Sequence, residues 1–169
     1  EVYIGGRQYT VITGTEEQNQ RDTPILLEEA TVSTDTYVPL IAIRKKPTFN
    51  GRQNSVKAVL KTAFVTTTEK VYWFISFGDE VTDGTWEDIT RIPPNETALE
   101  KNTTLTAGGT TQNRVISCDV VDTGNAKSKS QAKNDRIVLG ETDTLVLWAT
   151  RGTNNDAVVD AVIDIIEQW

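Results

Sequence analysis

The sequence predicts an all-β protein, an antiparallel β-sandwich or a jelly-roll-like fold of about eight or nine strands. Val, Ile, Leu, Tyr, Phe and Trp supply the core, Thr is abundant and Met is absent. This mixture suits pleated, half-buried surfaces better than helices. The apolar segments are short, and turns such as Asn50-Gly51 and Asp83-Gly84 divide them at regular intervals. We expect one sandwich domain, residues 25–169, preceded by an N-terminal segment, residues 1–24.

Residues 1–24 are predicted to form a first strand and an extended arm. Residues 8–13 alternate polar and apolar side chains, as a half-buried strand does. Residues 15–23 contain no apolar residue. That stretch cannot bury itself, so we interpret it as an exposed connector. We expect the arm to reach a neighbouring molecule, with Tyr9 and Val11 at the interface.

Eight apolar runs follow, each of a length suited to one strand. They cover residues 25–32, 37–44, 56–67, 71–77, 115–121, 136–139, 144–150 and 158–166. The last run is ambiguous, because its apolar residues fit a helical repeat as well as the alternation of a strand. β-branched residues dominate it and a Gly-Thr-Asn-Asn-Asp turn precedes it. We therefore expect a closing strand paired with residues 144–150.

The run at residues 71–77, Val-Tyr-Trp-Phe-Ile-Ser-Phe, is apolar on both faces. This pattern predicts a central strand that is covered on both sides. Alternation places its odd-numbered residues in the sandwich core: Val71, Trp73, Ile75 and Phe77. Tyr72 and Phe74 then point away from the core. We expect the N-terminal arm or another subunit to cover them, which would contribute several kcal/mol at about 25 cal/mol per Å² of apolar area.

Charge and hydropathy exclude two classes of partner. The formal net charge is -7 at pH 7, so the surface repels phosphate backbones and nucleic acid is not an expected partner. There is no apolar run of about 18 residues and no basic-then-apolar leader, so neither a membrane span nor a signal peptide is expected. The chain begins at Glu1 and contains no Met. We interpret it as a processed product, a cut domain or a partial chain.

The absence of His excludes the common catalytic arrangements. Ser-His-Asp and Cys-His sets are impossible, and so are ordinary Cys/His zinc sites. Cys118 is the single cysteine, so no internal disulfide can form, and we interpret it as an ordinary strand residue. We expect no enzymatic activity and no cofactor.

An acidic loop at residues 78–89 offers candidate ligand-binding residues. Calcium prefers carboxylate and carbonyl oxygens, and Asp79, Asp83 and Asp88 are the candidates, but the loop lacks the regular spacing of an EF-hand. An ordinary acidic surface loop is the commoner arrangement. The same carboxylates could act as a glycosidase pair only if they were held roughly 5 to 10 Å apart. Trp86 could stack on a sugar ring or fill the end of the core.

A basic trio, Arg44-Lys45-Lys46, stands out on this acidic chain. Such a trio can meet a negatively charged neighbour across an interface, although a solvated strand end is more common. The predicted interface therefore consists of Tyr9, Val11, Tyr72, Phe74, Arg44, Lys45 and Lys46.

Four stretches, in order, resemble a β-sandwich module of tailed-phage structural proteins. Residues 40–54, LIAIRKKPTFNGRQN, are similar to an ISIR-x-K-x-TFNG-x-x-N-R pattern. Residues 8–11 are similar to an SFTL strand. Residues 71–75 and 84–89 are similar to a pair of YWEL and GASWTSV segments. Residues 145–153 and 158–169 are similar to a closing pattern of ARS and ASLNW segments. Residues 95–100 depart from the pattern, because the family has VEYD there.

The resemblance implies a non-enzymatic structural protein of a phage particle. We expect it to decorate or cement the capsid through oligomerisation and docking onto neighbouring subunits, with the capsid surface favoured over the tail. Because virion sites are symmetric, a homo-oligomer is expected, and a trimer is favoured. The other expected partners are the major capsid or tail proteins of the same particle. The alternative is a tail or fibre module that binds a receptor, or a carbohydrate through Trp86.

Overall fold

The computed structural model describes residues 2–4, 7–9, 20–89, 97–123, 126–130 and 137–168, and no helix occurs in these ranges. The strands are β1 (Val2–Ile4), β2 (Arg7–Tyr9), β3 (Gln20–Val32), β4 (Val38–Lys45), β5 (Thr48–Phe49), β6 (Arg52–Gln53), β7 (Lys57–Thr67), β8 (Val71–Phe77), β9 (Glu80–Val81), β10 (Glu87–Asp88), β11 (Leu99–Asn102), β12 (Thr110–Thr111), β13 (Arg114–Val121), β14 (Ala126–Ser130), β15 (Val138–Leu139), β16 (Thr144–Arg151) and β17 (Ala157–Gln168).

Two antiparallel sheets make up the body of the fold. The larger sheet has six strands in the order β10-β11-β4-β16-β8-β13. The smaller sheet has five strands in the order β14-β7-β17-β3, with β15 also paired to β7. Three two-stranded ribbons, β1-β2, β5-β6 and β9-β12, complete the described strands. Apolar side chains from both sheets form one core, which confirms the predicted antiparallel β-sandwich.

The core follows the alternation of the strands. β17 buries every second side chain along its whole length. On β8, Val71, Trp73 and Ile75 are 1% exposed or less, and Phe77 packs at the margin of the core. The predicted inward face of this strand is confirmed. β8 also lies between β16 and β13, so it is a central strand, as predicted.

The last described strand confirms one prediction and corrects another. Residues 157–168 form a strand, as predicted, but β17 pairs with β3 and β7. β16 pairs with β4 and β8 in the other sheet, so the predicted hairpin between β16 and β17 does not form. The connection, residues 152–156, carries the chain across the sandwich instead. Five residues are longer than the tightest hairpin turn, so the connection does not impose pairing on the two strands.

The smaller sheet extends into the predicted arm. β3 begins at Gln20, and residues 20–24 pair with the last five residues of β17. Polar residues can form a strand here because β3 lies at the edge of the sheet, where side chains face solvent while the backbone still pairs. The predicted strand at residues 8–13 is described only as far as Tyr9, at the end of β2. Residues 10–19 lie outside the described residues.

Both faces of the larger sheet carry buried apolar side chains. Its outer face holds a second cluster, formed by Ala42, Phe74, Leu105, Val146 and Trp148, with Val81 and Trp86 packed against it. Leu105, Val81 and Trp86 come from the segment between β8 and β13, which therefore packs on part of this face. This cover explains why the central strands are apolar on both sides.

A buried carboxylate links the two sheets at one end of the core. Glu167 on β17 is 0% exposed. Its side chain accepts hydrogen bonds from the hydroxyl groups of Thr23 and Thr97 and from the backbone N–H of Ala98, the last at 2.6 Å. Thr23 belongs to the smaller sheet, whereas Ala98 directly precedes β11 of the larger one. The carboxylate is therefore a polar clamp between the sheets.

Candidate docking surface

A patch of aromatic and apolar residues lies on the outer face of the larger sheet. Tyr72 and Phe74 of β8 point to this face, and Val120 and Cys118 of β13 lie directly opposite them. Tyr37, just before β4, packs edge-on against Phe74 with 4.8 Å between ring centroids. We call these five residues the outer aromatic patch.

The rings of the patch are partly exposed and held in place. Tyr37 is 43% exposed and Tyr72 is 40% exposed. Phe74 is 8% exposed and stacks on Trp148, with 5.8 Å between ring centroids. The prediction that an arm or another subunit covers Phe74 is corrected, because Tyr37 and Trp148 of the same chain cover it. Large rings fixed by their neighbours lose little entropy on binding, which is typical of protein interfaces.

The loop that carries Tyr37 is fastened to the end of β16. The backbone oxygen of Thr34 accepts hydrogen bonds from the Arg151 backbone N–H at 3.2 Å and the Thr150 hydroxyl at 3.1 Å. Arg151 Nε donates to Asp35 Oδ1 at 2.7 Å. This hydrogen bond and the positive charge hold the pKa of Asp35 below its usual 3.8. The sequence prediction placed Tyr37 at the start of the run 37–44 but not at the interface, because the position of one aromatic ring after a polar loop depends on partners distant in the chain.

The basic trio does not form one charged surface. Arg44 Nε donates to Glu100 at 2.6 Å, and Lys46 forms an ion pair with Asp88. Lys45 is 7% exposed and lies opposite the core residue Leu99. Two of the three charges are thus neutralised by carboxylates of the same chain. Together they offer little net positive charge to a neighbour.

The three candidate calcium ligands do not converge. Asp79 is buried and accepts hydrogen bonds from Ser76 and from Trp148 Nε1, the latter at 3.2 Å. Asp83 accepts a hydrogen bond from the Thr106 hydroxyl at 2.6 Å, while Asp88 pairs with Lys46. Across the described ranges, no group of three His, Cys, Asp or Glu side chains could hold a metal ion. The acidic loop is fastened to the sheet by these carboxylates.

Trp86 packs against the second cluster as a plug at the end of a strand. Its ring is half-buried, and the Arg44 guanidinium carbon lies 3.9 Å from the ring centroid. A cation–π contact therefore occupies one face of the indole. A sugar would have to displace Arg44 to stack on that face.

The remaining predicted site residues lie elsewhere. Tyr9 belongs to β2, where its backbone pairs with Val2. Val11 lies outside the described residues. Cys118 is a free, exposed thiol within the outer aromatic patch. The patch therefore unites Tyr72 and Phe74 of the predicted interface with Tyr37, Val120 and Cys118.

A groove of about 530 Å³ lies on the outer face of the smaller sheet. Its lining includes the apolar side chains of Leu26, Phe64 and Val162 and acidic residues of β3 and β17. One of these acidic residues, Asp160, accepts a hydrogen bond from the Glu29 backbone N–H at 2.8 Å. Among the predicted site residues whose side chains are described, none lines this groove.

No helix in the described part of the chain is long and apolar enough to cross a membrane. Comparisons with protein families, with curated proteins and with solved structures found no match. The resemblance to tailed-phage structural proteins therefore remains a prediction.

Proposed function

We propose that the chain is a non-enzymatic structural protein of a phage particle, which decorates or cements the capsid. It acts by docking onto like copies and onto neighbouring capsid subunits. The outer aromatic patch carries the proposal, because it presents Tyr37 and Tyr72 as half-exposed rings on a rigid sheet. Aromatic residues on a fixed surface are the usual centre of a protein interface.

The energy available from the patch suits an assembly of many weak contacts. A buried aromatic side chain removes about 150 to 250 Å² from water, so covering the exposed fractions of Tyr37 and Tyr72 removes roughly 160 Å². At about 25 cal/mol per Å² this is about 4 kcal/mol for each copy. One such contact is weak, but contacts repeated around a symmetric lattice reinforce one another.

The residue chemistry supports a binding role over a catalytic one. The chain has no His, so common general-base arrangements cannot be built. The acidic loop carboxylates of Asp79, Asp83 and Asp88 are engaged within the chain by hydrogen bonds or an ion pair. Carboxylates that have such partners within the chain stabilise the fold.

The decisive experiment is to locate the chain in a cryo-electron microscopy reconstruction of the intact particle. We expect its density at symmetric positions on the capsid lattice, in groups of three if the predicted trimer is correct. Purified particles that lack the chain would refute the proposal. A position along the tail would replace capsid decoration with a tail or fibre function.

A matched pair of variants tests the docking surface itself. Tyr37→Ser combined with Tyr72→Ser should weaken binding to particles stripped of the protein by at least tenfold, because about 1.4 kcal/mol corresponds to tenfold. Phe64→Ser is the control, since Phe64 is 38% exposed on the smaller sheet. Co-sedimentation measures binding, and circular dichroism confirms folding. Equal binding by both variants would move the docking surface away from the patch.

The alternative function is a tail or fibre module that binds a receptor or a carbohydrate. Sugars stack on exposed aromatic faces, and Tyr37 and Tyr72 offer such faces more openly than Trp86 does. A glycan array separates the two functions. Binding that is lost in Trp86→Ala or Tyr72→Ala supports the alternative, whereas no glycan binding by a chain that assembles on capsids supports decoration.

A further inference from the structure

The edge of β13 that pairs with no described strand is a second feature on the same side of the molecule. β13 ends the larger sheet, and among the described strands it pairs with β8 alone. Val115 on this strand is 45% exposed, and Arg114 and Cys118 are exposed as well. An exposed edge with apolar side chains is a template for pairing with another strand.

β13 is less protected than β3, although it too carries a bulge, at Ile116, and two charged side chains, Arg114 and Asp119. β3, at the edge of the smaller sheet, contains Pro24 and a bulge at which Glu28 and Glu29 oppose Asp160. Proline, bulges and charged residues all discourage strand addition. β13 contains neither Pro nor Lys.

The side chains of β13 alternate in a pattern that reads the same in both directions. Val115 and Cys118 lie opposite Ser76 and Phe74, on the outer face. Arg114 and Asp119 lie opposite the inward residues Phe77 and Trp73. The bulge places both central residues of the segment inward, because Ile116 packs on the core and Ser117 lies opposite Ile75. From residue 114 to 119 the faces are therefore inner, outer, inner, inner, outer, inner.

We infer that β13 pairs antiparallel with β13 of a second copy, about a two-fold axis between Ile116 and Ser117. In this register Arg114 faces the partner's Asp119, and Val115 faces the partner's Cys118. Each pair lies on a common face of the joined sheet, despite the bulge. Opposite charges meet twice by symmetry, and like charges never do.

The contact joins the outer aromatic patches of the two copies. Cys118 and Val120 of β13 belong to the patch, so a shared β13 edge makes one continuous surface of the two. The inference names the partner for part of the proposed docking surface. It is a property of the isolated protein and does not depend on a phage particle. A two-fold contact can pair single copies or join one trimer to the next.

A cysteine pair reports the register. Residues opposite one another in antiparallel strands have Cα atoms about 4.5 to 5.5 Å apart, and a disulfide needs about 4.4 to 6.8 Å. Val115→Cys should therefore form two disulfides with the partner's Cys118. The Cys118 residues of the two wild-type copies would lie three positions out of register, roughly 10 Å apart along the strands, which is too far for a disulfide.

Mild oxidation and non-reducing electrophoresis measure this outcome. We expect most of Val115→Cys to run as a covalent dimer, while wild type and Val138→Cys stay monomeric. Val138 is the control because it is 38% exposed on β15 and the same Cys118 is present. Cross-linking of Val115→Cys no greater than that of Val138→Cys would overturn the inference.

Charge reversal tests the same contact without a new cysteine, and so remains decisive if Val115→Cys misfolds. Arg114→Asp should raise the dimer dissociation constant by about tenfold or more in sedimentation experiments, since it places like charges at both ends of the contact. Adding Asp119→Arg should restore it. A double variant as weak as the single one refutes the pairing. Failure of these tests leaves the particle-location experiment unaffected, so the two proposals can fall separately.

Discussion

The clamp at Glu167 gives the most direct test of how the two sheets are held together. Glu167→Ala removes a fully buried carboxylate that accepts hydrogen bonds from Thr23, Thr97 and the Ala98 backbone. Three buried donors then lose their acceptor. Thr23 lies in the smaller sheet and Ala98 directly precedes β11 of the larger sheet. The substitution therefore removes hydrogen bonds that connect the two sheets.

The cost follows from the number of donors. A hydrogen bond to a charged group contributes about 1.5 to 3 kcal/mol, and an unsatisfied buried donor costs about 1 to 3 kcal/mol. Rearrangement and entering water will recover part of this, so we expect Glu167→Ala to lower the free energy of unfolding by about 3 to 5 kcal/mol. For a domain of this size, about 1 kcal/mol shifts the Tm by roughly 2 to 4 °C. The Tm should fall by about 6 to 20 °C.

Thermal unfolding followed by circular dichroism measures the change. Gln168→Ala is the matched control, because Gln168 is the next residue on β17 and is only half-buried. Its effect should stay within about 0.5 kcal/mol. If Glu167→Ala unfolds within about 2 °C of wild type, or no lower than Gln168→Ala, the carboxylate does not clamp the sheets.

Three further predictions concern turns, charge and reactivity. Gly84→Ala should lower the Tm by about 5 to 10 °C and Gly51→Ala by about 2 to 4 °C. Both glycines have positive φ. A Cβ at Gly84 would lie 2.5 Å from Asn102 Oδ1, whereas a Cβ at Gly51 would meet nothing within 4 Å. An equal fall in Tm for the two variants would contradict the clash at Gly84. Asp35 should titrate below pH 3.8 by NMR and move back up in Arg151→Gln, because Arg151 lowers its pKa. The stability from this pair is therefore present above pH 3.8 and lost as the pH falls below it, and an unchanged midpoint in the variant would disprove the pairing. In protein diluted to the monomer, the exposed Cys118 thiol should react with a thiol reagent as fast as in denaturant. A slow reaction of the monomer would show that residues of the same chain cover the patch.

The fold class could be predicted because it depends on local pattern. Short β-branched runs between turn residues define strands without reference to partners, and all-β structure followed. The inward face of Val71, Trp73 and Ile75 was predictable for the same reason, since alternation along one strand decides it. Residues 20–24, which the sequence assigned to the arm, belong to β3. A polar edge strand and an exposed connector look alike in sequence, and the buried partner of Thr23, Glu167, is far away in the chain.

Features that depend on distant partners could not be predicted. The cover over Phe74 comes from Tyr37 and Trp148, which only the strand order of the larger sheet brings together. Both β16 and β17 are apolar, and the connection between them permits either a hairpin or a crossing. The acidic loop was a reasonable metal candidate from its composition. Its carboxylates are instead used by donors such as Trp148 and Thr106, whose proximity follows from register alone.

The central position of β17 has a consequence for how the chain folds. β17 lies between β7 and β3, and the hydrogen bond between Gln20 and Gln168 spans a sequence separation of 148 residues. Among the described strands, β3 pairs in this sheet with β17 alone, so the backbone of β3 has no partner strand there until residue 168 has been made. Pairing over such a distance carries a large loop-closure cost and folds slowly. We therefore expect the smaller sheet to form only after residue 168 has been synthesised, and not when the early strands collapse.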